Sequence, residues 1–404
     1  MKTIGRASIL DGIRYDLRGP ALVAADRLAA QGVRIVKLNT GNPGAFGFTA
    51  PESVLKAVSD NLCAALPYAQ SKGLNSAREA IAAYYAKKGV SIHPDYIYTG
   101  NGVSELIHMS VQALLSPGDE ILIPTPDYPL WTAATKLYGG TAVHYMCDED
   151  NHWCPNIEDM RSKITDRTRA IVVINPNNPT GVLYPDETLT QIAELAREHD
   201  LLIFSDEIYE SVVMDGKIHT PMAKIAPDLL VVAFGGLSKS HNLTGYRAGW
   251  MYLSGDLSGA SEYITGLDLI ASMRLCSNVP AQYAIPAALE NFEEMNAVFA
   301  PGGRVYEQRE IIMDALDNTP GLSAVRPDAA FYVFPKLDIG RFNITDDEQF
   351  VLDFLEAKHI LLVNGRGFNW AEPDHFRIVY LPERDDLIFV ADALRDFLST
   401  YRAG

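Results

Sequence analysis

Short apolar runs alternate with longer amphipathic stretches through most of the chain. Helical periodicity marks residues 104–115 and 186–200. Seven runs rich in Val, Ile and Leu have the length and composition of strands, namely 95–100, 120–126, 141–147, 169–176, 201–209, 229–236 and 248–255. Because these runs are apolar on both faces and are joined by helices, the pattern predicts an α/β fold whose mostly parallel, seven-stranded sheet lies between helices.

The last quarter of the chain has a different pattern. Long helices are predicted at 302–318 and at 383–401. Between them lie three strand-like pieces, at 329–337, 359–365 and 375–381. This order predicts a smaller α+β domain. We expect a large domain at 46–290, and a small domain that combines the N-terminal arm, 1–45, with residues 291–404.

The composition excludes several classes of protein. With 404 residues, 48% of them hydrophobic, the chain has enough apolar material for a large core. Acidic residues outnumber basic residues 51 to 34, which argues against nucleic acid and anionic membranes as partners. The first nineteen residues lack the apolar core of a secretory signal, and no run is long enough to span a membrane, so we expect a cytoplasmic protein.

The cysteines give no evidence for a disulfide framework or a metal site. The chain has four, Cys63, Cys147, Cys154 and Cys276, and no two have C-x-x-C spacing. Four cysteines in a chain of this length are also too sparse to brace the fold. We therefore expect free thiols and no bound metal.

Polar residues follow the carboxyl ends of five predicted strands, where ligands bind in open α/β sheets. They lie at 100–105, 127–128, 175–181, 206–209 and 237–239. Each has an ordinary structural explanation by itself, since turns, helix caps and core aromatics have similar composition. The glycine-rich turn at 100–105 matches neither the dinucleotide nor the nucleoside triphosphate fingerprint. Only the combination of these segments favours a functional site.

Three of these side chains together suit one cofactor. Lys239 is a lysine able to form a Schiff base, and Arg247, eight residues on, is suited to a phosphate. Asp206 stands at the end of a predicted strand. Pyridoxal 5′-phosphate requires a lysine for its aldehyde carbon, a carboxylate for its pyridine nitrogen and a cradle for its phosphate.

The segment 236–249, GLSKSHNLTGYRAG, resembles the cofactor-attachment signature of the class I/II aminotransferases. NNPTG at 177–181 and DEIY at 206–209 resemble two further signatures of that family, in the same order. Other segments, among them YDLRGP, LNTGNP, YAQSKGLNSAR and PDYPLWTAA, are similar to the bacterial glutamate–pyruvate (alanine) aminotransferase subgroup. The resemblance implies the fold of type I pyridoxal-phosphate enzymes over nearly the whole chain.

The resemblance also implies roles for individual residues. Lys239 is the expected catalytic lysine, Asp206 the partner of the pyridine nitrogen, and Tyr128 the aromatic that stacks on the ring. Asn178 and Tyr209 are expected to contact the 3′-oxygen of the cofactor. The expected phosphate contacts are Gly102, Val103, Ser104, Ser238, Arg247 and, from the neighbouring subunit of a homodimer, Tyr68. Gly236 departs from the family pattern, because many relatives have Ser or Thr there.

The resemblance implies transamination between L-alanine/pyruvate and L-glutamate/2-oxoglutarate by a ping-pong mechanism. Arg377 is expected to bind the substrate α-carboxylate, with Gly41 and Asn178 nearby. Arg18, with Tyr15 beside it, is expected to bind the side-chain carboxylate of glutamate. The alternative is Arg274, in a stretch that in relatives reaches the adjoining active site. Two alternatives share the fold: an aminotransferase for another amino acid, and a carbon–sulfur lyase. A cofactor-sensing DNA-binding regulator is disfavoured by the acidic charge and by the short segment before Tyr15.

Overall fold

The computed structural model describes residues 4–15, 19–290 and 292–403. In chain order the strands are β1 (Val36–Lys37), β2 (Ile97–Asn101), β3 (Glu120–Thr125), β4 (Thr141–Asp148), β5 (Cys154–Pro155), β6 (Thr168–Ile174), β7 (Leu202–Asp206), β8 (Val231–Gly236), β9 (Ala248–Ser254), β10 (Leu322–Ser323), β11 (Tyr332–Val333), β12 (Lys336–Leu337), β13 (Ile360–Leu361), β14 (Val363–Asn364) and β15 (Phe376–Val379).

The α-helices of the described residues vary from single turns to seventeen residues. They are α1 (Pro20–Ala30), α2 (Glu52–Asp60), α3 (Asn75–Lys87), α4 (Val103–Leu114), α5 (Leu130–Leu137), α6 (Ile157–Lys163), α7 (Asp186–Glu198), α8 (Met222–Ile225), α9 (Leu237–Ser240), α10 (Ser261–Met273), α11 (Val279–Gln282), α12 (Ala284–Glu290), α13 (Arg304–Asp317), α14 (Ile339–Phe342), α15 (Asp347–Lys358) and α16 (Arg384–Thr400). None of them is long and apolar enough to cross a membrane.

The central sheet has eight strands in the order β2-β9-β8-β7-β6-β3-β4-β5. β8, β7, β6, β3 and β4 are parallel to their neighbours in this row, whereas β9 is antiparallel to both β2 and β8. The prediction of an α/β fold with a mostly parallel sheet is confirmed, and all seven predicted strands are present. The eighth strand, β5, has only two residues and pairs antiparallel with the end of β4, so it is too short to leave a recognisable pattern in the sequence.

Both faces of the sheet are covered, which explains the nearly continuous apolar runs. Ile171 and Val173 of β6 belong to an apolar cluster that includes residues of α3, α7 and α12. Val172 and Ile174 belong to a second cluster, on the opposite face, that includes residues of α4 and α10. Since successive residues of a strand point to opposite faces, a strand buried on both sides must be apolar at every position.

The C-terminal part has its own apolar core, formed by α13, α15 and α16 with the short strands β11, β13 and β15. β11, β15 and β14 form a three-stranded antiparallel sheet. The predicted strand at 329–337 is divided into β11 and β12 because Pro335, between them, has no N–H to donate to a ladder.

The N-terminal segment packs against this C-terminal part. β1 pairs parallel with β13, and Ala25 of α1 packs against Leu355 and Leu361. The predicted small domain, which combines both ends of the chain, requires contacts of this kind. The division at residues 46 and 290 stays a prediction.

Candidate functional site

A cavity of about 480 Å³ opens at the carboxyl ends of β6, β7 and β8. Its wall combines residues from both ends of the chain with residues of the central sheet. They are Tyr15, Asn39, Thr40, Gly41, Asn42, Val103, Ser104, Ile107, Tyr128, Ile174, Asn178, Asp206, Ile208, Tyr209, Ser238, Lys239, Thr244, Gly245, Arg247, Tyr332 and Arg377. The fold therefore brings together most of the predicted site residues, although they are far apart in sequence.

Lys239 lies on the single turn of helix that follows β8. Its Nζ donates a hydrogen bond of 2.6 Å to the carbonyl oxygen of Gly41 and lies 5.9 Å from the ring centroid of Tyr209. Burial lowers the pKa of Lys239, because removing the ammonium from water disfavours the charged form. A lysine whose amine is more readily deprotonated is suited to nucleophilic and proton-transfer chemistry.

Asp206 is the last residue of β7, and its side chain is almost fully buried. Its Oδ2 accepts a hydrogen bond of 3.1 Å from the indole Nε1 of Trp131. Burial raises the pKa of Asp206 to about 6, and the hydrogen bond from Trp131 opposes that rise. A buried carboxylate with a single side-chain donor is suited to a cationic ring nitrogen as an additional partner.

Arg377 lies on β15 and is 2% exposed. Its guanidinium donates to Asn178 Oδ1 at 2.9 Å and to the carbonyl oxygen of Asn39. The rings of Tyr332 and Phe368 lie 4.5 and 4.6 Å from the guanidinium carbon. The Nε of Arg377 is buried without a hydrogen-bond partner in the described part of the chain. A buried donor without a partner is costly, so this geometry favours an anionic ligand in the cavity.

The N-terminus of α4 and the guanidinium of Arg247 face the same point. Gly102 has a φ of 80°, and a Cβ there would lie 2.2 Å from a terminal nitrogen of Arg247. Arg247 also donates to the carbonyl oxygen of Thr244 at 2.9 Å. Free backbone N–H groups at a helix N-terminus, next to a guanidinium, form a cradle for an anion such as a phosphate. Val103, Ser104 and Ser238 line the cavity beside this cradle.

Two pairs of tyrosine hydroxyls complete the wall. Tyr15 and Tyr128 share a hydrogen bond of 2.9 Å, and Tyr209 and Tyr332 share one of 2.6 Å. Tyr332 also explains Gly41, because a Cβ at that position would lie 2.1 Å from the hydroxyl oxygen of Tyr332. A larger residue at position 41 would displace the ring that packs on Arg377.

The single chain does not bring every predicted residue to the cavity. Tyr68 is 77% exposed and lies outside it. Arg274 forms an ion pair with Glu105, donates to two backbone carbonyls and does not line the cavity. Arg18 lies outside the described residues, so its predicted role is not tested.

Gly236, where we noted a departure from the family pattern, has a packing role. A Cβ at this position would lie 2.9 Å from the carbonyl oxygen of Ala248 and 3.1 Å from the Cα of Gly249, on the neighbouring strand β9. Since backbone atoms cannot move aside as a side chain can, the close approach of β8 and β9 favours glycine here.

Sequence reasoning missed four residues that shape the site: Asn39, Trp131, Tyr332 and Phe368. Trp131 and Asn39 lie within segments that carried the family resemblance, PDYPLWTAA and LNTGNP, but no pattern connected them with Asp206 or Arg377. Tyr332 and Phe368 lie in the C-terminal part, where their contacts depend on how that part packs against the sheet. For these two residues the sequence offered one signal of a role in the site, the position of Tyr332 in a predicted strand.

Comparisons with known proteins identify relatives over the full length of the chain. The sequence model of a family described as aminotransferase class I and II matches residues 33–392. The chain is 51% identical to the glutamate-pyruvate aminotransferase AlaA of Escherichia coli K12 over 402 residues, which cover 99% of each chain. It is 49% identical to an alanine aminotransferase of Mycobacterium tuberculosis H37Rv, covering 99% of this chain and 94% of that protein. A crystal structure of an aminotransferase from Escherichia coli superposes with a TM-score of 0.98 at 51% identity, and the match covers both chains completely.

Proposed function

Because this chain belongs to the class I and II aminotransferase family, we propose that it is a pyridoxal 5′-phosphate-dependent enzyme that exchanges an amino group between L-alanine/pyruvate and L-glutamate/2-oxoglutarate. The relatives named above as glutamate-pyruvate and alanine aminotransferases, about half identical over the whole chain, support this substrate pair. The observation that carries the proposal is the convergence of Lys239, Asp206, Arg247 and Arg377 on one cavity.

The residues present fit pyridoxal phosphate at three separate points. The anion cradle formed by the start of α4 and Arg247 would hold the phosphate. Asp206, held by Trp131, would pair with the pyridine nitrogen, and Asn178 and Tyr209 would lie at the 3′-oxygen. Tyr128 would cover the ring, and Lys239 would hold the aldehyde carbon. When bound, the cofactor supplies an electron sink for the electron pair that remains after the substrate Cα loses its proton.

Lys239 is the residue we propose to move that proton. Because burial lowers the pKa of its amine, the neutral form that accepts a proton from Cα is available closer to neutral pH than for an exposed lysine. Its present hydrogen bond to the carbonyl oxygen of Gly41 shows that the side chain reaches across the cavity towards the N-terminal segment. The same amine returns the proton when the second substrate reacts.

Arg377 orients each substrate through its α-carboxylate. Asn178 and the carbonyl oxygen of Asn39 accept hydrogen bonds from the guanidinium, and the side chain lines the cavity. A planar fork that is held by two acceptors loses little further freedom on binding a carboxylate, so alanine and glutamate are aligned in the same way. The two half-reactions then follow in sequence: one amino acid leaves as its 2-oxo acid before the second 2-oxo acid binds.

We also infer a cytoplasmic homodimer with shared active sites. The exposed Tyr68 and its neighbour Leu66, 77% and 85% exposed, support a contact surface in this region. Tyr68 of the partner subunit would then reach the phosphate, as the family resemblance implies. Of the other proposed phosphate contacts, Val103, Ser104, Ser238 and Arg247 line the cavity of the single chain.

A direct assay tests the proposed function. Purified enzyme with pyridoxal phosphate, L-alanine and 2-oxoglutarate should form pyruvate and glutamate in equal amounts, measured by a lactate dehydrogenase coupled assay and by chromatography. D-alanine in place of L-alanine, and the Lys239→Ala variant in place of the parent, are the controls and should give neither product. Absence of both products from L-alanine, together with release of ammonia and pyruvate from L-cystine, would instead indicate a carbon–sulfur lyase and contradict the proposal.

A further inference from the structure

Three buried side chains that do not line the cofactor cavity converge at one point. Two of them belong to the segment 206–210, which also carries Asp206 and Tyr209. One ligand atom from each of Glu207, Glu210 and His219 lies within 4.8 Å of the other two. Glu207, Glu210 and His219 are only 1%, 8% and 7% exposed, respectively. Carboxylates and imidazoles are rarely buried to this extent unless other groups compensate them, so each polar atom in the cluster needs a partner.

The hydrogen bonds within the protein satisfy only part of this cluster. Oε1 of Glu207 accepts from the hydroxyl of Ser205 at 2.8 Å and from the backbone N–H of Met222 at 2.9 Å. Oε2 of Glu207 is buried without a hydrogen-bond partner within the described residues, and the ring of His219 has no well-formed hydrogen bond beyond its contact with the backbone of Asn175. Buried atoms left unsatisfied in one small cluster indicate that a ligand which the protein itself does not supply belongs there.

Only one of the two carboxyl groups in the cluster has a positively charged partner within the described residues. Glu210 accepts a hydrogen bond of 2.7 Å from Lys88 Nζ and one of 3.1 Å from the hydroxyl of Tyr84, so the lysine compensates one carboxylate. Glu207 makes no ion pair within the described residues. A metal ion would give Glu207 the positive partner that the described residues do not supply.

We propose that Glu207, Glu210 and His219 bind one divalent zinc ion. One imidazole nitrogen and two carboxylate oxygens form a donor set that zinc accepts, with a fourth position for water. Three ligands at ~2.1 Å from a tetrahedral zinc lie about 3.4 Å apart, so side chains now within 4.8 Å need to approach by at most about 1.4 Å. Lys88, whose side chain is 26% exposed, connects the cluster with the solvent.

Such an ion would join two parts of the chain. Glu207 directly follows Asp206 and Glu210 directly follows Tyr209, whereas His219 lies on the loop before α8. The ion would thus fix the segment 206–210, which also carries two residues of the cavity wall. Its role would be structural, because none of its three ligands lines that cavity.

Zinc binding itself is the test, and it is independent of transamination. The exposed Cys63 is a competing zinc ligand, so all proteins carry Cys63→Ser and no histidine tag. Protein treated with chelator, then dialysed against a slight excess of ZnCl₂ and gel-filtered, should retain one zinc per chain by mass spectrometry. The melting temperature should rise with zinc. Glu207→Gln and His219→Gln should weaken binding at least about 10-fold, whereas the control variant His199→Gln, at an exposed histidine, should bind like the parent.

A second measurement does not depend on the folding of any variant. Crystals of the zinc-treated parent should show an anomalous peak between Glu207, Glu210 and His219 at the zinc absorption edge. Retention of less than a tenth of a zinc per chain would overturn the proposal and leave a buried water as the partner of these atoms. Equal affinity in the His219→Gln variant and the parent, or anomalous peaks at the surface only, would overturn it as well.

Discussion

Replacing Arg377 with lysine tests how the substrate α-carboxylate is held. The variant keeps the positive charge but loses the planar fork. In the structure, two donors of the guanidinium already bind Asn178 and the carbonyl oxygen of Asn39, and the side chain lines the cavity. A lysine has a single nitrogen, so it cannot satisfy both asparagine oxygens and a bidentate carboxylate. We expect weaker binding and poorer alignment of every amino acid substrate.

The size of the effect follows from the contacts that are lost. A lysine that still reaches the carboxylate loses one charge-assisted hydrogen bond, which is about 1.5–3 kcal/mol. At 1.36 kcal/mol per tenfold change, kcat/KM should fall by roughly 10- to 150-fold. The rings of Tyr332 and Phe368 lie within 4.6 Å of the guanidinium carbon of Arg377. A lysine loses the stacking of the planar guanidinium on these rings, so we expect the decrease in kcat/KM to lie towards the upper end of this range.

Steady-state kinetics with L-alanine and with L-glutamate measure this effect. Both substrates should lose kcat/KM by the same factor, since both use the α-carboxylate, while the absorbance of the bound cofactor stays that of the parent. Arg247→Lys is the matched control: it should weaken cofactor binding, whereas kcat/KM for both amino acids at saturating cofactor should stay close to that of the parent. Parent-like kinetics for Arg377→Lys, or a loss confined to one amino acid, would show that Arg377 does not hold the shared carboxylate.

Four further predictions address the remaining roles. Lys239→Ala should lower turnover by at least about 10³-fold and alter the absorbance of the bound cofactor while the circular dichroism stays unchanged; parent-like transamination would contradict its role. Asp206→Asn should lower kcat by ~10²-fold, or ~2.7 kcal/mol, while the cofactor dissociation constant changes far less; near-normal turnover would exclude the pairing with the ring nitrogen. Arg18→Ala should lower kcat/KM for glutamate by ~10²-fold and less for alanine, whereas Arg274→Ala, which breaks the ion pair with Glu105, should not discriminate between them; equal effects in both variants would refute this account. Sedimentation should show a dimer, and Tyr68→Phe should weaken cofactor binding; a fully active monomer would refute the shared site.

The sheet was predictable from the sequence because burial on both faces leaves a strong local signal. β6 and β8 are apolar at nearly every position, and helices of thirteen residues or fewer separate the central strands. The two-residue strands β1, β5 and β10 could not be predicted, since pairs of residues carry no periodicity. Their pairing depends on where distant parts of the chain meet, as when β1 joins β13.

The residues of the site also divide into those that the sequence identified and those that it did not. Lys239, Asp206 and Arg247 were found because they occur in short segments whose order and chemistry are visible in the sequence. Trp131 was not found as the donor to Asp206, because 75 residues separate the two and only the pairing of β3, β6 and β7 brings them together. Arg274 is not tested by a single chain. Within this chain it binds Glu105 and two backbone carbonyl groups, whereas its predicted contact is with the adjoining active site.

The charge of the whole chain and the charge of the cavity have opposite signs. The chain carries a net charge of −17, yet the charged residues that line the cavity within the described residues are Lys239, Arg247, Arg377 and a single carboxylate, Asp206. Surface charges are screened over about 8 Å at physiological ionic strength, whereas buried groups a few ångströms from a ligand act through a much lower dielectric. An acidic protein can therefore offer a site suited to anions, because the fold gathers Arg247, Arg377, Lys239 and a helix N-terminus at one edge of the sheet.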